Sequence, residues 1–181
     1  MKRMGLGLGC GVFLAVILFS CGSENFCPDL DAGYLATKTV TSLYCEKNGN
    51  KVPIDNPDAV MPLTTALQIS QGGCDIWGNE NVWRHHTFIS YRGTSKDDDQ
   101  FSLEINNSDN VSIPMNFKIG GSKVKCRFNG EIKWDGDSGD TDLLKGEIYY
   151  NLTRRPNEHN KSCPDSCAIN MTFIADQVSG K

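Results

Sequence analysis

Four carboxylates fall within the eight residues Asp135-Gly136-Asp137-Ser138-Gly139-Asp140-Thr141-Asp142. Hard oxygens on a Gly-rich, flexible backbone are what a Ca²⁺ ion needs, so Asp135, Asp137, Asp140 and Asp142 are the candidate metal ligands of the chain. The segment departs from the EF-hand pattern, with Gly139 and Asp140 at its fifth and sixth positions and Gly146 where a closing Glu belongs. A solvated hairpin tip is therefore favoured over a Ca²⁺ site, and no cofactor is expected. Asp97-Asp98-Asp99 reads the same way, as a charged tip. His85 and His86 are adjacent, and successive strand side chains point to opposite faces, so the pair cannot easily converge on one ion. His159 lies far from both in sequence. No G-x-S-x-G, H-E-x-x-H, P-loop or G-x-G-x-x-G stretch occurs, which leaves hydrolase, zincin and nucleotide readings without a starting point and favours a non-catalytic protein.

The N-terminus carries a different kind of chemistry. Lys2 and Arg3 precede an apolar run from about Leu6 to Phe19, which closes in Leu18-Phe19-Ser20-Cys21. A basic start, a short apolar stretch and a small residue before the cut describe a secretory signal, not a membrane span. Leu-x-Ser-Cys in that position resembles the lipobox of bacterial lipoproteins. The resemblance covers only the leader and Cys21. It implies that residues 1–20 are removed, that the Cys21 thiol is acylated, and that the membrane is a partner through those acyl chains. Each buried CH₂ adds about 0.8 kcal/mol, so more than one chain holds a domain on a bilayer. Gly22 stands where the family carries Asp for inner-membrane retention, which implies the outer membrane. On this reading residues 21–32 form an anchor and tether, and 33–181 a single domain.

Setting aside Cys10 in the leader and Cys21 at the anchor leaves Cys27, Cys45, Cys74, Cys126, Cys163 and Cys167. An even set of six in an exported chain reads as three disulfides and leaves no free thiol for a nucleophile. The pairing favoured from sequence is Cys27 with Cys45, Cys74 with Cys126, and Cys163 with Cys167. Five N-x-S/T sequons, at Asn106, Asn110, Asn151, Asn160 and Asn170, support the alternative of a secreted eukaryotic glycoprotein.

About 160 residues after the leader are enough for one domain with a core. Removing Lys2 and Arg3 leaves 16 basic against 22 acidic residues, a net charge of about −6 that disfavours nucleic acid and anionic lipid head groups as partners. No helical period persists, and Gly, Asn, Asp and Pro punctuate the whole body. Strands are expected over Gly33–Cys45, Leu63–Gln71, Val82–Tyr91, Phe101–Ile105, Val111–Ile119, Val124–Trp134, Leu143–Thr153 and Cys167–Ala175. Asn48-Gly49, Gly72-Gly73 and Gly120-Gly121 supply turns, and Gly130 marks a bulge. Pro114 marks an edge or a bulge near it, which counts slightly against a perfectly closed barrel. The fold class is all-β, a single antiparallel domain of about eight strands stapled by disulfides, either an up-and-down barrel or a β-sandwich. Trp77, Trp83, Trp134, Tyr34, Tyr44, Tyr91, Tyr149 and Tyr150 either fill its core or line a binding face. A barrel would admit a small apolar ligand inside, whereas a filled core with an exposed aromatic patch would favour a protein partner.

Overall fold

Alternation with period two has a geometric consequence: each strand buries one face, and enough such strands with right-handed twist curl until the first meets the last. The computed structural model describes residues 27–56, 60–82, 87–96, 99–105, 111–140 and 142–179. Among them are β1 (Ala32–Lys47), β2 (Asn50–Lys51), β3 (Thr64–Gly72), β4 (Asp75–Val82), β5 (Thr87–Ser95), β6 (Gln100–Ile105), β7 (Ile113–Ile119), β8 (Ser122–Asp140), β9 (Leu143–Arg154) and β10 (Ser166–Ser179). Eight of these form an antiparallel ring in the order β1-β3-β4-β5-β6-β8-β9-β10, and β10 returns to β1 from Gly33↔Ser179 to Glu46↔Ser166. The closure decides between the two expected architectures in favour of the barrel. β2 pairs only with the end of β1, and β7 only with the first half of β8. Pro114 sits on β7, outside the ring, where its missing N–H costs no ring hydrogen bond.

The barrel is mainly apolar inside and mainly polar outside. Phe101 and Leu103 on β6, Ile132 and Trp134 on β8, and Ile169, Met171 and Phe173 on β10 are all buried. Thr37, Thr39, Lys145, Glu147 and Thr172 on neighbouring strands face out. That is the reverse of a barrel whose wall meets lipid.

Several sequence expectations are corrected. Val82–Tyr91 is not one strand: Val82 ends β4, Thr87 begins β5, and the two residues face each other across the β4–β5 ladder. β4 went unread because its inward positions are Ile76, Gly78 and Glu80, a set with no apolar rhythm. Gly130 causes no register shift; it lies where β8 leaves β7 and goes on to pair with β6. The carboxylate segment expected as a loop is strand as far as Asp140, and the register shift there falls between Asp137 and Asp140. The barrel also begins before residue 33. Leu30 is fully buried and its N–H donates to Gln71 Oε1 at 2.7 Å, so the chain from Cys27 onward belongs to the domain.

All six body cysteines are paired, but not as expected: the bonds are Cys27–Cys74, Cys45–Cys167 and Cys126–Cys163. The expected pairs join cysteines consecutive along the chain, whereas barrel closure brings distant strands side by side. Cys45 and Cys167 face each other on β1 and β10, 122 residues apart in sequence, and staple the seam of the ring. A β1 register shift between Val40 and Ser42 makes this possible. Upstream of it Tyr34, Ala36 and Lys38 face inward on even numbers; beyond it the inward parity changes, and Cys45 is buried.

Tight coiling also shows at Gly93, opposite Leu103 on β6, where an added Cβ would lie 1.7 Å from the Ser102 carbonyl oxygen. Gly93→Ala must therefore push two ring strands apart, and we expect a loss of about 3 kcal/mol or more. Gly73→Ala meets nothing within 4 Å and bears only its positive φ of 67°, a cost of about 1–2 kcal/mol. Urea unfolding of both variants measures the contrast, and equal losses would refute the close-approach argument.

Candidate functional site

Three polar side chains that water would ordinarily claim lie in the middle of the barrel. Lys38 on β1 and Glu80 on β4 are 2% and 1% exposed, and their side chains form an ion pair through Lys38 Nζ and Glu80 Oε1. Tyr91 on β5 donates its hydroxyl to Glu80 Oε2 at 2.6 Å. Lys38 Nζ also sits 5.0 Å from the ring centroid of Trp134, whose π face favours a desolvated cation. Trp134 packs against Phe173 at 4.8 Å between centroids and meets Tyr91 edge-on at 6.1 Å. Lys38 thus has a carboxylate on one side and an indole on the other.

The electrostatics follow from burial and pairing. Desolvation raises the Glu80 carboxyl, but the adjacent Lys38 charge and the hydrogen bonds from Lys38 and Tyr91 outweigh it and hold the group below its ordinary value. Burial and the Glu80 charge push Tyr91 and Tyr150 well above the usual phenol range. Tyr34, buried near Asp29, Asp142 and Asp31, is pushed up to about 12. The Tyr150 hydroxyl is buried with no hydrogen-bond partner among the described residues. Chemically, the cluster pairs one anion with one cation where solvent does not reach. Such an arrangement fixes strands, and a substrate has no access to it.

The residues singled out from sequence are scattered. Asp135 and Asp137 project from the outer face of β8; Lys133 Nζ lies 2.9 Å from Asp135 Oδ2, and Asp137 Oδ1 accepts from the Gly139 N–H at 2.7 Å. Asp142 is on the β8–β9 turn, and the Asp140 side chain lies outside the described residues. A strand directs Asp135 and Asp137 outward side by side and does not wrap them round an ion, and no group of three or more His, Cys, Asp or Glu able to hold a metal occurs among the described residues. His159 is exposed in the segment before β10. Cys21, His85, His86, Trp83, Asn106, Asn110, Asp97 and Asp98 lie outside the described residues. The other sequon asparagines, Asn151, Asn160 and Asn170, are exposed. The aromatics divide: Tyr34, Tyr91, Trp134 and Tyr150 are core, whereas Tyr44, Trp77 and Tyr149 are partly exposed.

Comparison with protein-family models and with curated proteins finds no match for the chain. Three disulfides point to an oxidising, extracytoplasmic environment.

Sequence reasoning missed Lys38 and Glu80. The available signal was that Lys38 continues the inward series Tyr34, Ala36, but a charge at an inward position looks like a broken pattern until its partner strand is known. Removing one partner of a buried pair strands the other, so Glu80→Ala should cost about 3–5 kcal/mol, while Lys38→Met combined with Glu80→Gln should cost much less than the two single changes together. Denaturant unfolding measures the cycle; additive losses would show that the two groups do not support each other.

The same groups set a pH window. Glu80 titrates below its ordinary value of 4.5, so its contribution is complete above pH 4.5 and disappears as pH falls through the lower, folded value. Tyr91 and Tyr150 titrate above 10.0, so the folded state holds protons that the unfolded chain releases, and stability falls as pH rises past 10. Thermal unfolding should give a plateau between these limits. Glu80→Gln should flatten the acid limb, and an unchanged acid limb would exclude Glu80 as its source.

Proposed function

We propose that this chain is an envelope lipoprotein: a non-catalytic, disulfide-stapled β-barrel held at a membrane by acyl chains on Cys21, which binds at its surface and carries no cargo inside. The pairing of all six body cysteines carries this reading, because it leaves Cys21 with no thiol partner among them, directly after a signal-like leader. Cys27, where the described chain starts, is disulfide-bonded to the β3–β4 turn, so the tether to Cys21 is short. Six residues span at most about 20 Å.

Two observations favour surface binding. The barrel centre is filled by Trp134, Tyr91, Tyr150, Phe173 and the Lys38–Glu80 pair, which supports a structural core over room for an apolar ligand. On the outer wall, Leu35, Leu143, Ile174 and Val178 are 38–64% exposed and surround Asp176: Leu35 and Leu143 face it on the flanking strands, and the other two lie two residues away on β10. This apolar group lies at the barrel end nearest Cys27 and suits a protein partner.

The expected outcome is an acylated N-terminus on Cys21 by mass spectrometry of the mature protein. Cys21→Ser should shift the protein from the membrane to the soluble fraction with unchanged thermal stability. A mature form without acyl groups, or one carrying N-glycans released by endoglycosidase, would replace this reading with the secreted one.

A further inference from the structure

The cations of this acidic chain are unevenly placed. The hairpin of β7 and β8 buries Met115, Phe117, Val124 and Cys126 on one face. Its other face presents Asn116, Lys118, Lys123, Lys125 and Arg127, with Lys118 directly opposite Lys123 and Asn116 opposite Lys125. Like charges facing each other across a ladder destabilise it. The described ion pairs are Lys38–Glu80, Lys133–Asp135 and Arg154–Asp165, so the three lysines have no carboxylate partner among the described residues. Carboxylates on the flanking segments hold backbone instead. Asp55 Oδ2 accepts from the Gly121 N–H at 2.8 Å, and Glu158 accepts from the N–H groups of Arg127 and Asn160 at 3.0 and 2.9 Å.

Edge protection does not account for these lysines. The outer edge of β7 is already covered, with Asn116 N–H donating to the Val60 carbonyl at 3.1 Å and Asp55 N–H to that of Lys118 at 2.8 Å. The opposite edge of β8 is held by the Arg155 N–H on the Arg127 carbonyl at 3.2 Å and by the Cys126–Cys163 disulfide. Between the hairpin and the first of these segments is a cavity of about 320 Å³ lined by Asn56, Asn116, Lys118, Lys123 and Lys125.

We propose that this cavity binds a phosphate-bearing sugar. Unpaired ammonium groups act as point charges that suit a compact, multiply charged oxyanion. The two carboxamides offer donors and acceptors to hydroxyl groups. A volume of this order accommodates one small ligand. The repulsion between Lys118 and Lys123 is relieved when the anion is bound. The site does not depend on the fate of Cys21. The same chemistry is presented by a soluble sugar phosphate and by the headgroup of a phosphorylated glycolipid.

Calorimetric titration of the purified protein with glucosamine 1-phosphate tests the site, with inorganic phosphate and glucosamine as comparisons. Saturable binding at least tenfold tighter than to either comparison is expected. Lys118→Gln combined with Lys123→Gln should weaken it at least tenfold while leaving the melting temperature equal or higher, because the facing charges are gone; Lys51→Gln, on β2, should change nothing. Absence of saturable binding, equal affinity for inorganic phosphate, or binding unaffected by the double substitution would overturn the proposal. Tighter binding of a single-stranded oligonucleotide would overturn it in favour of a nucleic-acid site. Phosphatidylcholine vesicles carrying a phosphorylated glucosamine glycolipid separate the two sources: retention on them and not on plain phosphatidylcholine assigns the headgroup, and binding of the free sugar phosphate alone assigns a soluble ligand.

Discussion

A lysine withdrawn from water inside a narrow barrel has to find an anion, and here it finds Glu80 two strands round the ring. That requirement disciplines the whole interior. Glu80 needs further hydrogen bonding to remain ionised, which Tyr91 supplies from β5, and Lys38 needs an electron-rich neighbour on its other side, which Trp134 supplies from β8. Four strands are thereby held to one register by directional contacts. Apolar packing tolerates small slips; a one-residue slip of β4 would turn Glu80 outward and leave Lys38 charged in a low-dielectric core. Replacing the pair with apolar residues need not cost much stability. Its contribution is to exclude alternative registers of a meander whose strands share the same alternation.

Ring closure then imposes its own chemistry. An eight-stranded ring leaves an interior just wide enough for side chains, so large groups at one level require small ones at another. Trp134, Phe173 and Tyr91 occupy the level of the ion pair; Gly93, Gly130 and Gly146 lie where strands pass too close for any Cβ, and Gly136 lies under the Phe101 ring. Gly136 faces Gly146 across the β8–β9 ladder, and a Cβ on Gly146 would be 2.1 Å from the Asp135 carbonyl. The disulfides fix three separate places: one at the β1–β10 seam, one joining the start of the domain to the β3–β4 turn, and one tying the β7–β8 hairpin to the segment before β10.

Strands whose inward positions are uniformly apolar were legible in the sequence. Phe101, Leu103 and then Ile113, Met115, Phe117 announce β6 and β7, and the Gly pairs at 72–73 and 120–121 announce their turns, with positive φ at Gly73, Gly120 and Gly121. β4 was not legible, because the residue that defines its role, Glu80, is the one that breaks its pattern. The same cause hid the central cluster: Lys38 and Glu80 are 42 residues apart, and only a closed ring makes them neighbours. The number of disulfide cysteines could be read from parity alone, but their pairing required knowing that β1 lies beside β10. The carboxylate run after Asp135 misled for a related reason. Asp and Gly suggest a loop, yet alternation carries β8 on to Asp140, and the glycine at 136 relieves crowding against Phe101.

Charge is distributed along the barrel axis in a way that bears on how it would stand at a surface. Asp135 and Asp137 lie toward one end of β8, near Asp99, whose carbonyl accepts from the Ser138 N–H; Cys27 Sγ is 3.5 Å from the Ser95 carbonyl at the same end. Lys123, Lys125 and Arg127 lie toward the other end. Twelve residues of strand separate Lys125 from Asp137, about 40 Å if extended. Under the proposed lipid anchor, a tether of about 20 Å leaves the carboxylate end next to the bilayer. Anionic headgroups repel that end over a Debye length of about 8 Å, so the barrel is pushed upright and not drawn flat. The lysine face is then presented away from the membrane. A soluble anion or a glycolipid in a facing leaflet would meet it directly, whereas a headgroup in the anchoring leaflet would have to lie a full barrel length from where it is held.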